Sequence, residues 1–529
     1  VSVVRNNVAP EIHLDDYTTE LFNELFGVGT ASESRTPPPG GLAEEVGSLV
    51  RKARESSGLT APIVSLFVRL KDLKRTHGCR PDEFGLSRRD LAVLCEKHEA
   101  IDEHQVTLGG RVNRALGIVA EADRRVEEYL RVKDIEAPSG IQLWDKILEN
   151  GERIRSILGL RLVDWSSYER QVKHCIDSVE ILAKIIDLPP HVIENIGRVT
   201  KTYRMRMTPY YASLIMPGVI NDPVLLQAVP TGEMVDNVGI EIPPVASDHS
   251  PARLIDQFYP RVVTIKATNM CAMYCTHCLR IAHIGRQDHI YTDQAYDEAL
   301  AYIENNTNMR DVLITGGDAF VLPNKIIRKI LVALDRMDHI TMKRIGTRIP
   351  VTAPWRVDRE LLDILENSND RKPLRVVTQI NTAQEITPVS RDVFKQISKS
   401  VSAILNQAVL LKGINDSRVK MWKLCETVQE SYVRPYYLFN CSYRNPQYKH
   451  LRVPIATGRD IVESMYGTIA GDSIPRYIAP IGGKIPLHQN NVVRREGNNV
   501  ILRRPWSGEE ARYPDAEGYE NPDFAFKKY

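Results

Sequence analysis

The run Arg261-Val-Val-Thr-Ile-Lys-Ala-Thr-Asn-Met-Cys271-Ala-Met-Tyr-Cys275-Thr-His-Cys278 decides the fold. Its opening residues are rich in β-branched side chains and predict a strand. Three cysteines follow, with gaps of three and then two residues. Three thiolates on one short loop can hold three corners of a 4Fe-4S cluster, which leaves one iron without a protein ligand and free to bind a small molecule. The alternatives are three buried thiols or part of a zinc site. Zinc would want a fourth ligand, and His277 inside the loop is a weak one.

From Arg261 onward, strand and helix patterns alternate. The expected strands are Arg261–Ala267, Asp311–Thr315, Thr341–Gly346, Leu374–Ile380, Ala403–Leu411 and Val433–Phe439. Helical runs lie between them at Thr292–Glu304, Lys325–Arg336, Arg359–Glu366, Arg391–Ser400 and Arg418–Gln429. Repeated units of this length predict an α/β fold, a partial (βα)6 barrel with chemistry at the C-terminal ends of its strands. A helical N-terminal extension and a small C-terminal α/β segment complete it. The expected divisions are 1–150, a packing or oligomerisation extension; 151–255, a helical lead-in; 256–445, the barrel; and 446–529. The extension shows helical spacing at Leu42–Ser56, Ile63–Thr76, Arg88–Glu99 and Val112–Val132, with a break at Pro37-Pro-Pro-Gly-Gly.

Composition narrows the class. The 529 residues carry a net charge of only +2, so no strong pull on nucleic acid or membrane surface is expected. No stretch has the apolar length of a membrane span, and the N-terminal residues lack a signal peptide's apolar core. Eight cysteines in a chain of this length do not form a secreted disulfide framework. Cys79, Cys95, Cys175, Cys425 and Cys441 are expected to be buried thiols. A cytoplasmic location fits an oxygen-sensitive cluster.

Further motifs occupy the strand ends. Gly316-Gly317-Asp318 closes the second strand, and its glycines allow close backbone approach. Arg348, Gln379 and Gln407 place polar groups on later strands, where each could equally be a satisfied core side chain. Gly482-Gly483-Lys484 lacks the spacing of a phosphate-binding loop. A lysine there could be a simple turn residue or a lysine held against a cofactor.

The cysteine spacing resembles the signature of radical S-adenosylmethionine (SAM) enzymes. In order, Thr208-Pro-Tyr-Tyr-Ala-Ser-Leu, Gln227-Ala-Val-Pro, the cysteine loop, Gly346-Thr-Arg-Ile-Pro, Asn406-Gln-Ala-Val-Leu-Leu-Lys-Gly-Ile-Asn-Asp, Arg434-Pro-Tyr-Tyr and Gly482-Gly-Lys484 together resemble lysine 2,3-aminomutase and its relatives. The resemblance spans roughly residues 160 to 515. It implies an isomerase that moves an α-amino group to the β-carbon, with SAM and pyridoxal 5′-phosphate (PLP) as cofactors beside the cluster. By resemblance, Cys271, Cys275 and Cys278 hold the cluster. Gly316, Gly317, Asp318, Arg348, Gln379 and Gln407 lie beside SAM. Lys484 binds PLP, Tyr259 and Arg261 contact its phosphate, and Arg280 binds the substrate carboxylate.

The chain also departs from the lysine-specific pattern. Ser442 stands where an aspartate follows the cysteine, and the second acidic element before the glycine loop is missing. Lysine is therefore expected to be a poor substrate, because a buried ammonium without a counter-charge is costly. Asn440, Ser442 and Asp472 are candidate replacement contacts, and arginine, glutamate or a neutral or noncanonical amino acid remain open. No structural zinc is expected. A flavodoxin- or ferredoxin-like electron donor and a homodimer or homotetramer are implied. Other outcomes on the same cofactors, elimination or oxidation, and a non-catalytic Fe-S scaffold stand as alternatives.

Overall fold

A computed structural model describes residues 22–26, 41–55, 61–99, 125–238, 249–285, 287–444 and 446–519. The chain divides into two compact units, residues 1–127 and 128–529. Pro37–Gly40 and the first half of the expected Val112–Val132 helix lie outside the described residues.

The first unit is helical. Leu42–Glu55, Ala61–His77 and Arg88–Glu99 are helices. Their apolar faces meet around Phe22, Val50, Phe67, Leu70 and Leu91. The Phe22 and Phe67 rings stack at 5.9 Å. These buried residues form one apolar cluster of their own.

The second unit is built on a nine-stranded sheet in sequential order β1 to β9. The expected strands appear as β2 (Val262–Thr268), β3 (Asp311–Gly316), β4 (Met342–Gly346), β5 (Leu374–Thr378), β6 (Ala403–Leu410) and β7 (Arg434–Asn440). The sheet is longer than six strands. β1 (Ile255–Tyr259) pairs antiparallel with β2 at one edge. β8 (Arg476–Pro480) adds a further parallel strand beside β7, and β9 (Lys484–Pro486) returns antiparallel to β8. The sheet curls, and the Lys484 amide of β9 donates to the Tyr259 hydroxyl of β1 at 3.0 Å. It is a half-barrel with parallel strands at its centre.

The two faces of the strands differ. Val263, Ile265, Val312, Ile314 and Ile345 are buried under the outer helices. Asp293–Glu304, Asn324–Arg336, Arg359–Arg371, Pro388–Ser400 and Arg418–Glu430 form that layer. Most start on a side-chain cap: Thr292, Asp358, Thr387 and Ser417 each accept a backbone N–H. The alternate residues Thr264, Leu313, Arg344 and Arg375 are half-buried and lie side by side in register. This inner face is polar and cationic, which suits a chamber for anionic ligands rather than a packed core.

Helices between Trp144 and Ser213 pack their own cluster, including Ile154, Ile185, Met207 and Tyr211, against the same unit. Residues 128–136 are helical and dock on Arg418–Glu430. Tyr129 stacks on Trp422 with ring centroids 4.0 Å apart, its hydroxyl donates to Glu426, and Asp134 pairs with Lys423 at 2.8 Å. Tyr129→Ala should lower unfolding stability by about 3 to 5 kcal/mol, the range for deleting a buried aromatic. Tyr129→Phe keeps the stack and should lose far less. Denaturant melts of both variants check this.

A three-stranded antiparallel sheet, β10 (Val492–Glu496), β11 (Asn499–Arg503) and β12 (Glu510–Pro514), follows the half-barrel. Among the described residues, no helix is long and apolar enough to cross a membrane.

Candidate active site

The cysteine loop leaves the C-terminal end of β2 and is pinned on both sides. Tyr274 N donates to Arg206 O at 3.0 Å, and Thr276 N donates to Gln227 O at 2.9 Å. The Asn269 side chain ties the loop to the carbonyls of Ile284 and Gln287. Cys271, Cys275 and Cys278 keep partial solvent access, whereas the other five cysteines are buried. Burial raises the Cys271 thiol well above its ordinary pKa, and Asp318, Cys278 and Cys275 add repulsion. Burial and Cys275 push Cys278 up to about 12. Cys271 and Cys278, whose thiols resist ionising beside their neighbours, suit a cluster that accepts the negative charge of their thiolates. Among the described residues, no three ligating side chains already converge at metal distance. The loop would draw its sulfurs together on the iron.

Gly316 and Gly317 have a more direct task than ligand approach. A Cβ on Gly316 would lie 2.1 Å from Thr268 O, and one on Gly317 would lie 2.1 Å from Met270 O. The two glycines let β3 press on the backbone that launches the cysteine loop. Gly317 N and Asp318 N donate to Thr268 O and Met270 O across that contact. The Asp318 carboxylate is buried and accepts from Arg348 N at 2.6 Å and Phe320 N at 3.0 Å.

Arg280 follows the loop. Its Nη1 donates to Thr315 Oγ1 at 3.0 Å and to Gly316 O at 3.2 Å. Neither partner is a carboxylate, and burial lowers its pKa. Further N–H groups of the planar fork are left for an incoming carboxylate.

Lys484 opens β9 where the sheet edges meet. Its Nζ lies 5.0 Å from the Tyr437 ring centroid on β7. Burial, then the nearby Arg344 guanidinium, pull its pKa down to about 8 against the opposing pull of Asp311. Arg344 itself is paired with Asp311 at 2.9 Å. Gly483 (φ +125°) adopts a conformation that a side chain would resist, and a Cβ there would meet Trp506 at 2.7 Å. The lysine therefore rides on a loop clamped between Trp506 and Tyr259.

The remaining candidates are placed as follows. Arg348 is buried against Cys275. Gln407 is half-buried and in register with Tyr437, beside the lysine. Gln379 faces His277, whose Nε2 lies 3.3 Å from Asn381 Nδ2. Arg261 is exposed and donates to Asn308 O at 3.4 Å, so only Tyr259 of its pair reaches the lysine loop in the described contacts. The Asn440 amide is consumed by Val453 O, Tyr477 and Tyr513. Ser442 is buried and accepts from Arg444 N, and Asp472 is exposed. Asp311, Arg344 and Tyr437 were not expected. Their signal was the polar side chain recurring on one face of apolar strands.

No family model matches the chain. It is 33% identical over 400 residues to the glutamate 2,3-aminomutase of Clostridioides difficile (strain 630), covering 75% of this chain and 93% of that protein. The chain belongs to the 2,3-aminomutase family. It is likewise 34% identical over 345 residues to the L-lysine 2,3-aminomutase of Clostridium subterminale, covering 64% of this chain and 82% of that one. For the L-lysine 2,3-aminomutase of Bacillus subtilis (strain 168) the identity is 34% over 360 residues, 67% of this chain and 75% of that one. As a 2,3-aminomutase the protein is an isomerase, and the expected partial barrel is the fold it has.

Proposed function

We propose that this aminomutase is a radical-SAM, PLP-dependent enzyme acting on an α-amino acid other than lysine. The observation that carries the reading is Lys484: a buried amine drawn down to about pKa 8 on a curled sheet whose second strand also launches the three-cysteine loop. Cys271, Cys275 and Cys278 would hold the cluster, and Lys484 would hold PLP. When bound, the cluster with SAM supplies a carbon radical that takes a substrate hydrogen, and PLP supplies the π-system across which nitrogen migrates.

The chain's own residues then have positional tasks. Arg280 takes the substrate carboxylate with the N–H groups not spent on Thr315 and Gly316. Tyr437 offers a ring face beside Lys484, and Tyr259 and Trp506 fix the loop that carries it. A flavodoxin- or ferredoxin-like donor and a homo-oligomer belong to the same proposal.

The substrate's far end finds no acidic pair. Ser442 stands at one of the two relevant positions, and the Asn440 amide is already satisfied. A lysine ammonium buried there would lack a counter-charge, a loss on the order of 3 to 5 kcal/mol. Reduced, reconstituted enzyme offered lysine, arginine, glutamate and neutral amino acids should therefore turn over lysine at least about a hundredfold less efficiently than its best substrate. Comparable kcat/KM for lysine would contradict the reading.

A further inference from the structure

Three motifs far apart in sequence, Thr208-Pro-Tyr-Tyr, Gln227-Ala-Val-Pro and Gly346-Thr-Arg, converge behind the cysteine loop. Their meeting point is the Arg348 side chain. Its Nη1 donates to Cys275 Sγ at 2.8 Å. Its Nη2 reaches Glu385 Oε1 at 2.5 Å, Tyr211 OH at 3.3 Å and Gln227 Oε1 at 3.3 Å. The anchors are themselves held. Tyr211 OH donates to Glu385 Oε1 at 3.0 Å, and Glu385 Oε2 accepts from Asn381 N at 2.9 Å. Asn381 Nδ2 donates to Gln227 Oε1 at 2.8 Å. Tyr211, Gln227, Asn381 and Glu385 are each 0% exposed.

A buried carboxylate and guanidinium cost several kcal/mol of desolvation each, so the pair is a weak way to gain stability. What the arrangement does supply is direction. The guanidinium is a rigid, permanently charged fork. One edge is locked by Glu385, Tyr211 and Gln227, which leaves the other facing a single sulfur. A cation and an N–H donor at a cluster sulfur favour the more negative, reduced cluster, and so raise its reduction potential. Arg348 Nε is buried without a partner among the described residues.

We propose that Arg348, clamped by Glu385, Tyr211 and Gln227, sets the reduction potential of the iron–sulfur cluster through its hydrogen bond to the Cys275 sulfur. It is a positioning residue, and the inference rests on the cluster reading given above. The same clamp gives the Thr208-Pro-Tyr-Tyr and Gln227-Ala-Val-Pro motifs a task in the reaction.

The test uses the full chain reconstituted with iron and sulfide, with iron counted and the midpoint potential titrated by EPR without SAM. Arg348→Gln combined with Glu385→Gln removes the pair without leaving one buried charge alone. At parent iron content its potential is expected to move to more negative values, and Arg348→Lys, which restores a cation, should recover part of that shift. Equal potentials in parent and double variant would overturn the proposal. A measurement on the unsubstituted protein guards against a variant that fails to fold. With 15N-labelled arginine, pulsed EPR of the reduced cluster should detect coupling to an arginine nitrogen, and a cluster without that coupling overturns the proposal. A parent chain that binds no iron refutes the cluster reading itself, a result distinct from either.

Discussion

Lys484→Ala should lose aminomutase turnover by about four orders of magnitude or more, the upper end for removing a group that acts in the chemistry. The visible absorbance of lysine-bound PLP should vanish with it, while iron content and reductive SAM cleavage remain. The physical reason is the amine's environment. An ordinary lysine near pKa 10.5 is almost wholly ammonium at pH 7 and cannot attack a carbonyl. Burial and Arg344 bring Lys484 down to about 8. At pH 7 that raises its neutral fraction by more than about a hundredfold. The sign of the pH dependence follows. Because the folded-state pKa is depressed, the neutral amine gains population as pH rises through 8, so PLP capture by the cofactor-free protein should quicken over pH 7 to 9 and then level off. Arg344→Met removes the nearby cation and should move that midpoint upward. A capture rate that is flat across the window, or full activity in Lys484→Ala, would exclude the lysine's role.

Cys275→Ala should abolish the cluster and, with it, both SAM cleavage and turnover, while Lys484 still takes up PLP. Removing one of three thiolates leaves two, too few to hold three corners of the cluster. The two lesions should therefore be complementary: each variant keeps the cofactor that the other loses. That independence is what separates a two-cofactor site from a general collapse of the sheet. Cys441→Ala is the control. Cys441 is buried far from solvent, and burial pushes its thiol to about 12. Its replacement should leave the iron count unchanged.

The barrel strands were legible because β-branched runs alternate with amphipathic helices of fixed length. β2 reads apolar on one face, at Val263, Ile265 and Ala267, and polar on the other, at Thr264 and Lys266. β8 was not legible. Arg476-Tyr-Ile-Ala-Pro is short and ends in proline, and no helix follows it. Only the pairing of Leu438 with Tyr477 reveals it as a continuation of the sheet. Lys484 was singled out by its motif, but the lowering of its pKa was not legible, because it comes from burial and from Arg344 on an earlier strand. The sequence shows Glu385 only as the last residue of a capping box. It sits in a short turn, Thr382-Ala-Gln-Glu385, and acquires meaning only when folding brings Arg348 to it. Gly316 and Gly317 were readable as a close approach, although the backbone they approach is the protein's own. Asn440 read as a polar residue available to substrate. The structure spends it on Tyr477 and Tyr513.

The central claim is that the thiol trio and Lys484 serve one nitrogen migration. The most direct measurement follows the atom that moves. Reduced, reconstituted enzyme is given SAM and the best amino acid of the panel, labelled with 15N at the α-nitrogen and 13C at the β-carbon. The account predicts a product of unchanged mass in which NMR finds 15N bonded to 13C. Labelled ammonia in solution, or 15N still on the α-carbon while SAM is consumed, would contradict it.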